Sequence, residues 1–344
     1  EPVEKITNVN QGGLIAVCGA GKTNMAIELM CRVKQPTLWI CHTKELLNQT
    51  ITRMLATTTL FKEEIGIISE GKIQIGSKVT IGLIGTLCKR DMKDIQNNFG
   101  CIILDEAHHL PANTFYDVIT QFDAKYRYYV TATPEREDGL TDILTYEMGK
   151  AVARITLDDI KDSIIIPKLT LVKTDFYSTS AEYHDLMQDL CNDNARNEQI
   201  KNTVIERLKA DRSILLLSDR VEHLLTIKTL LQGYNEELKI EILSGTTRKK
   251  EREEIMHRAQ NKQIDVLLAT KLAREGLDIT HLDCLILATP KKAKGAVTQE
   301  VGRIMRACKG KTTAEVIDFV DDKMGIFRNQ YFQRREAYKE LKMI

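Results

Sequence analysis

Short runs in which nearly every residue is apolar alternate along the chain with longer stretches whose apolar positions recur every three or four residues. The first run is Leu14-Ile15-Ala16-Val17. Thr37-Leu38-Trp39-Ile40-Cys41, Val79-Thr80-Ile81-Gly82-Leu83, Cys101-Ile102-Ile103-Leu104 and Tyr128-Tyr129-Val130 follow it. Successive strand side chains point to opposite faces, so an uninterrupted apolar run predicts a strand buried on both sides. Helical segments such as Glu45 to Leu55 lie between the runs, and the alternation predicts an α/β fold: a mainly parallel sheet with helices on both faces. The rhythm breaks over 155–167, where Asp158-Asp159, Asp162 and Pro167 fall. It resumes with Ile214-Leu215-Leu216-Leu217, Ile240-Glu241-Ile242-Leu243, Val266-Leu267-Leu268-Ala269, Cys284-Leu285-Ile286-Leu287 and Val316-Ile317-Asp318-Phe319. Two tandem α/β domains, 1–156 and 169–344 with a linker at 157–168, are the economical reading. A length of 344 residues agrees, because it exceeds the size at which one core stops growing.

Composition narrows the picture without redirecting it. Apolar residues make up 43% and charged residues 28%, as in ordinary globular domains. No apolar run approaches the roughly 18 residues that a membrane span needs, and no signal peptide opens the chain, so an intracellular protein without a membrane partner is expected. The first residue is Glu1 rather than Met, which predicts a fragment or a processed form. A formal net charge of +1 neither demands nor excludes nucleic acid, and any such contact has to be local. Eight cysteines, at 18, 31, 41, 88, 101, 191, 284 and 308, form no C-x-x-C pair. They read as small core residues in a reducing compartment, and the histidines lack ligand spacing.

Three constellations carry candidate chemistry. Ala16-Val17-Cys18-Gly19-Ala20-Gly21-Lys22-Thr23 joins the first strand to a helix beginning at once with Asn24-Met25-Ala26. Glycines let a backbone curl round a phosphate chain, and the helix N-terminus faces it. Lys22 then reaches the terminal phosphates and Thr23 a Mg²⁺ ion. Second, the strand at Cys101 to Leu104 runs into Asp105-Glu106-Ala107-His108. Asp105 is placed to bind the metal through water and Glu106 to polarise an attacking water, although acidic pairs after strands also serve as helix caps. Third, Gln299-Glu300-Val301-Gly302-Arg303-Ile304-Met305-Arg306 puts Arg303 and Arg306 on one face of an expected helix. They suit a γ-phosphate, or else make a solvated basic helix end.

With these residues in place the chain resembles a superfamily 2 helicase core of the DExH/DEAH kind, almost end to end and in order. The loop at 16–23 resembles motif I, Cys41 to Gln49 motif Ia and Gly85-Thr86-Leu87 motif Ib. Asp105-Glu106-Ala107-His108 is similar to the DEAH box, and Thr131-Ala132-Thr133-Pro134 to motif III. Leu216 to Arg220 resembles motif IV and Leu243-Ser244-Gly245 the segment after it. Ala269-Thr270-Lys271 through Glu275-Gly276-Leu277-Asp278 resembles motif V, and Gln299 to Arg306 motif VI. The run Thr131 to Gly139 and the Gln opening motif VI are similar to the XPB-, UvsW- and RadD-like group. Restriction-enzyme motors and viral transcript-release helicases lie nearby.

That resemblance implies two tandem RecA-like domains enclosing ATP and Mg²⁺. Gly19, Ala20, Gly21, Lys22 and Thr23 would hold the phosphates, Thr23 and Asp105 the metal, and Glu106 the water. Arg303 and Arg306 would act as fingers, Gly276 and Asp278 would sense nucleotide, and His108, Thr131, Thr133 and Gln299 would couple the site to a track. His109 reads as a neighbour without chemistry. Thr43, Gly85, Thr86, Gly245 and Thr270 match nucleic-acid positions, though each also suits a helix cap or turn. Arg136 and the Lys291-Lys292-Ala293-Lys294-Gly295 loop would add charge, with a solvated loop the plainer reading of the lysines. The amphipathic stretch Phe327 to Tyr338 is expected to pack on the second domain. No residue matches the adenine-reading Gln, because Gln11 is too near the first strand. DNA is favoured over RNA as the track. The alternatives are an RNA helicase or the motor subunit of a restriction or transcription-termination complex, joined through flanking domains.

Overall fold

A computed structural model describes residues 2–17, 19–107, 112–132, 140–270, 279–291 and 294–344. It divides into two compact units, Glu1–Ile160 and Lys161–Ile344, each built on one sheet. The first sheet contains β1 (Gln11–Ala16), β2 (Thr37–Cys41), β3 (Ile65–Ser69), β4 (Lys72–Gln74), β5 (Val79–Leu83), β6 (Cys101–Asp105), β7 (Tyr126–Thr131) and β8 (Ala151–Ile155). Its order is β4-β3-β5-β2-β6-β7-β1-β8, parallel throughout except for β4, which turns back on β3.

The apolar runs create two cores by simple alternation. Trp39 and Cys41 of β2, Cys101 and Ile103 of β6, and Tyr128 and Val130 of β7 face the helices Lys22–Val33 and Lys44–Thr57. Leu38, Ile40, Ile102, Leu104 and Tyr129 face the other way, onto Phe115, Val118, Leu144 and Met148 of the helices Ala112–Ile119 and Leu140–Met148. Gly13 is required at its place in β1, since a Cβ there would lie 2.0 Å from the Tyr129 ring.

The second sheet is parallel in the order β11-β12-β10-β13-β14-β9. Its strands are β9 (Lys168–Lys173), β10 (Ile214–Leu217), β11 (Ile240–Leu243), β12 (Val266–Ala269), β13 (Cys284–Leu287) and β14 (Glu315–Val320). Ile214, Leu216, Val266, Leu268, Cys284, Ile286, Ile317 and Phe319 meet Ile200, Val204, Leu224, Ile227 and Leu231 of the helices Asn194–Lys209 and Val221–Tyr234. The tail helix, Gly325–Glu340, buries Phe327, Gln330, Arg334, Ala337 and Tyr338 on one stripe. Arg334 Nε and the Tyr338 hydroxyl both donate to Asp318 of β14 at 2.8 Å, which fastens that helix to the second sheet. No helix among the described residues is long and apolar enough to cross a membrane.

Parallel strands end on the same edge of a sheet, and loops leaving the carboxyl ends of an open α/β sheet form its natural crevice. The sequence motifs of the first unit leave from that edge of β1, β2, β5, β6 and β7.

Candidate functional site

The loop after β1 is held at both ends by backbone hydrogen bonds. Val17 N–H donates to Ile155 O at 3.2 Å, Ala20 N–H to Val17 O at 3.2 Å, and Met25 N–H to Gly21 O at 3.1 Å. Gly19 and Gly21 have φ of 89° and 76°, the left-handed region that L side chains rarely enter. A Cβ on Gly21 would touch nothing within 4 Å, so conformation rather than space calls for glycine there. Gly21 caps the Lys22–Val33 helix and brings no side chain to its first N–H groups. Those donors face out of the helix end, as an anion site requires.

Two contacts join this loop to the end of β6, one strand further than β7 in the sheet. Lys22, only 8% exposed, holds its Nζ 3.6 Å from Glu106 Oε1. Thr23 Oγ1 lies 3.5 Å from Asp105 Oδ2, at the outer limit of a hydrogen bond. Asp105 is 2% exposed, and its Oδ1 accepts no hydrogen bond. Burial, then the neighbouring Glu106 carboxylate, push the Asp105 pKa well above the ordinary carboxylate range, while Lys22 opposes the rise. A buried carboxylate oxygen without a donor, beside a threonine hydroxyl, is a donor set for a hard divalent cation. These residues therefore fit Mg²⁺. Glu106 follows with φ of 53°, a left-handed turn that carries its side chain out of the strand direction.

The expected nucleic-acid positions of the first unit come together because β2 and β5 are neighbours. Thr43 caps the Lys44–Thr57 helix, its Oγ1 accepting from Leu46 N–H at 3.3 Å, so the helix-cap reading of this residue holds. Gly85 is exposed and Thr86 is 7% exposed, both in the short helix Ile84–Leu87. Gly85, Thr86 and His42 line a cavity of about 500 Å³ with three cations that the motif reading passed over: Lys44, Lys89 and Arg90. None of the three makes an ion pair with a described residue. Their sequence signal was available, because Lys44 follows Thr43 and Lys89-Arg90 comes four residues after Gly85. Ser69, which ends β3, and the Glu70-Gly71 turn that follows it also line this cavity and carried no motif.

In the second unit Gly245 and Thr270 follow β11 and β12, which are also paired neighbours. Gly245 is exposed in a turn. Thr270 is 6% exposed and its Oγ1 makes no hydrogen bond. Gln299 and Arg303 lie half-buried on the helix Lys294–Ile304. That helix stops before Arg306, which corrects the expectation of two arginines on one helical face. Arg306 sits instead in a bridge to Ile164, next to a bond from Ile165 N–H to Met305 O at 2.8 Å. The extended pairing there replaces the next helical turn. Lys291 also departs from its reading as a solvated loop residue: it is 5% exposed, with Nζ 3.1 Å from Glu300 Oε1 and 3.5 Å from Asp219 Oδ1. Glu300 points inward from the helix, and a buried carboxylate needs a buried cation. Thr131 ends β7 fully buried. His108, Thr133, Gly276 and Asp278, with Cys18, His109, Arg136 and Lys292, lie outside the described residues.

Comparison with known proteins adds the following. The family described as "Type III restriction enzyme, res subunit" matches residues 2–136, and "Helicase conserved C-terminal domain" matches 195–308. Over 96% of this chain it is 30% identical to the "Putative ATP-dependent RNA helicase L396" of Acanthamoeba polyphaga mimivirus, of which it spans 66%. Over 89% it is 24% identical to the "DNA 3'-5' translocase XPB2" of Sulfurisphaera tokodaii, of which it spans 77%. Among solved structures, the "ATP-dependent Type ISP restriction-modification enzyme LlaBIII bound to DNA" matches the fold with a TM-score of 0.74 at 16% identity. That match covers 99% of this chain and 30% of the other.

Proposed function

The chain belongs to the superfamily 2 helicase and translocase family, in its XPB- and restriction-enzyme-like group, and from that premise we propose that it is the ATP-driven motor of a DNA translocase. The observation that carries the reading is the meeting of Lys22 with Glu106 and of Thr23 with Asp105 at one sheet edge. Gly19, Ala20 and Gly21 offer backbone N–H groups to the phosphate chain, and Lys22 turns from Glu106 to the terminal phosphates when ATP arrives. Thr23 and Asp105 would hold Mg²⁺, which would supply positive charge to the phosphate chain. Glu106, released from Lys22, orients and deprotonates water.

Arg303 and Arg306 neutralise charge developing on the transferred phosphoryl group, and a finger of this kind is worth roughly 10³–10⁵ in rate. Gly276 and Asp278 sense the nucleotide; His108, Thr131, Thr133 and Gln299 relay its state. In this mechanism both domains, 1–156 and 169–344, contribute residues to ATP hydrolysis, and 157–168 acts as the linker.

The track runs over Thr43, Gly85 and Thr86 in the first domain and over Gly245 and Thr270 in the second. Hydroxyls, backbone N–H groups and the cations Lys44, Lys89 and Arg90 contact phosphates without reading bases. DNA is preferred because the XPB2 relative is named a DNA translocase; the mimivirus relative, named an RNA helicase, supports RNA as the second reading. The chain spans only part of its relatives, so flanking segments are proposed to dock it, inside the cell, in a larger assembly of the restriction or transcription kind.

Steady-state ATP hydrolysis without nucleic acid, with DNA and with RNA tests the proposal. DNA should stimulate turnover at least tenfold and RNA much less. Stimulation by RNA alone would reverse the track assignment, and hydrolysis indifferent to both would remove the motor reading.

A further inference from the structure

Lys311 lies after the arginine segment and has no part in the chemistry above, yet its ammonium is enclosed by main-chain oxygens. It donates to the carbonyls of Ile304 at 2.5 Å, Leu282 at 2.6 Å, Arg306 at 3.1 Å and Thr280 at 3.3 Å. Ile304 ends the helix that carries Gln299 and Arg303. Thr280 and Leu282 belong to the turn that enters β13, directly after the segment holding Gly276 and Asp278. The ammonium, sharing one of its three protons between two of these oxygens, therefore ties the end of that helix to the turn that enters β13.

Helix-terminal carbonyls lack partners of their own and gather negative partial charge, which a cation relieves. On its other side the Arg306 backbone is held by the Ile164 bridge and by Ile165 N–H bonding to Met305 O. A finger misplaced by an ångström loses most of its effect, so whatever fixes this backbone fixes the rate.

We propose that Lys311 is the positioning residue for Arg306: its ammonium clamps the Ile304 and Arg306 carbonyls to those of Thr280 and Leu282, and so fixes the backbone from which the Arg306 guanidinium is delivered. The proposal rests on the reading of Arg306 as a finger. Burial lowers the Lys311 pKa to about 8; Cys308 and Asp283 oppose that fall and Arg306 adds to it. His281, a further titratable group near Lys311, is held toward its neutral form by burial and the Lys262 charge, with Asp283 opposing. Above about pH 8 the neutral amine loses its charge and one donor, so the clamp loosens as pH rises.

The test is DNA-stimulated ATP hydrolysis, by single turnover, for the native chain, Lys311→Met, Lys311→Arg, Arg306→Ala and the double variant Arg306→Ala/Lys311→Met. Lys311→Met should lower the rate at least tenfold with the KM for ATP within about twofold, and should change nothing further when Arg306 is already alanine. Native turnover in Lys311→Met, or an equal loss in both backgrounds, would overturn the proposal. If Arg306→Ala itself keeps the native rate, the finger reading fails first and is seen to fail separately. Lys311→Arg stays charged in the same place, and its rate should hold between pH 7 and 9 where the native rate declines. Parallel pH profiles for the two would overturn the proposal even if Lys311→Met does not fold.

Discussion

Lys22 Nζ and Glu106 Oε1 pair across 3.6 Å. The pairing separates their roles. Lys22→Ala removes the side-chain cation proposed to meet the terminal phosphates, and ATP affinity should fall at least tenfold in equilibrium titration. Glu106→Gln keeps the shape and the Asp105–Thr23 pair proposed for the metal but loses the proposed base. Its ATP affinity should stay within about threefold while turnover drops by roughly 10²–10⁴. Wild-type turnover in Glu106→Gln would show that the water is activated elsewhere. These residues were legible in the sequence because their geometry is local: a strand, a turn and a helix start fix each one. Lys291 and the cations Lys44, Lys89 and Arg90 were harder to read, since their setting depends on what folds against them. Nothing near Lys291 in sequence announces that Glu300 turns inward to meet it.

Among the elements, the strands with apolar runs appear where the pattern puts them, and the strands that were missed lie at a sheet edge (β4, β8, β9) or one strand in from it (β3). β3, β4, β8 and β9 have at least one exposed or half-exposed position in each, so no long apolar run marks them. Element docking also depends on polar contacts that no periodicity reveals. His223, at the start of the Val221–Tyr234 helix, is 1% exposed, with Nδ1 2.9 Å from Ser218 Oγ and Nε2 2.9 Å from Asn197 Oδ1. It thereby joins that helix to β10 and to the Asn194–Lys209 helix. Burial, assisted by the Arg196 charge, lowers its pKa from 6.5 to about 3. The unfolded chain takes up this proton below about pH 6.5 while the folded chain refuses it until about pH 3. Stability from this group is therefore complete above pH 6.5 and is lost as pH falls, by up to about 1.4 kcal/mol per pH unit. Denaturant melts of the native chain and His223→Gln from pH 7 to 4.5 should show a shallower loss in the variant. Equal slopes would mean that the histidine is not held neutral.

At the scale of the whole molecule, the account requires two α/β units to act as one machine. The fold class was legible because parallel sheets write themselves as apolar runs, and the family because its motifs come in order along both halves. Which polymer is tracked was less legible, since phosphate contacts carry no base code. Hydrolysis alone does not establish a motor, because a clamp that opens and closes also consumes ATP. Movement does, and displacement of a labelled third strand from a DNA triplex reports it directly. With ATP the native chain should strip the third strand from duplex DNA, and the rate should collapse in Glu106→Gln and Arg306→Ala although both still bind DNA. Rapid DNA-stimulated hydrolysis that leaves the third strand in place would contradict the account.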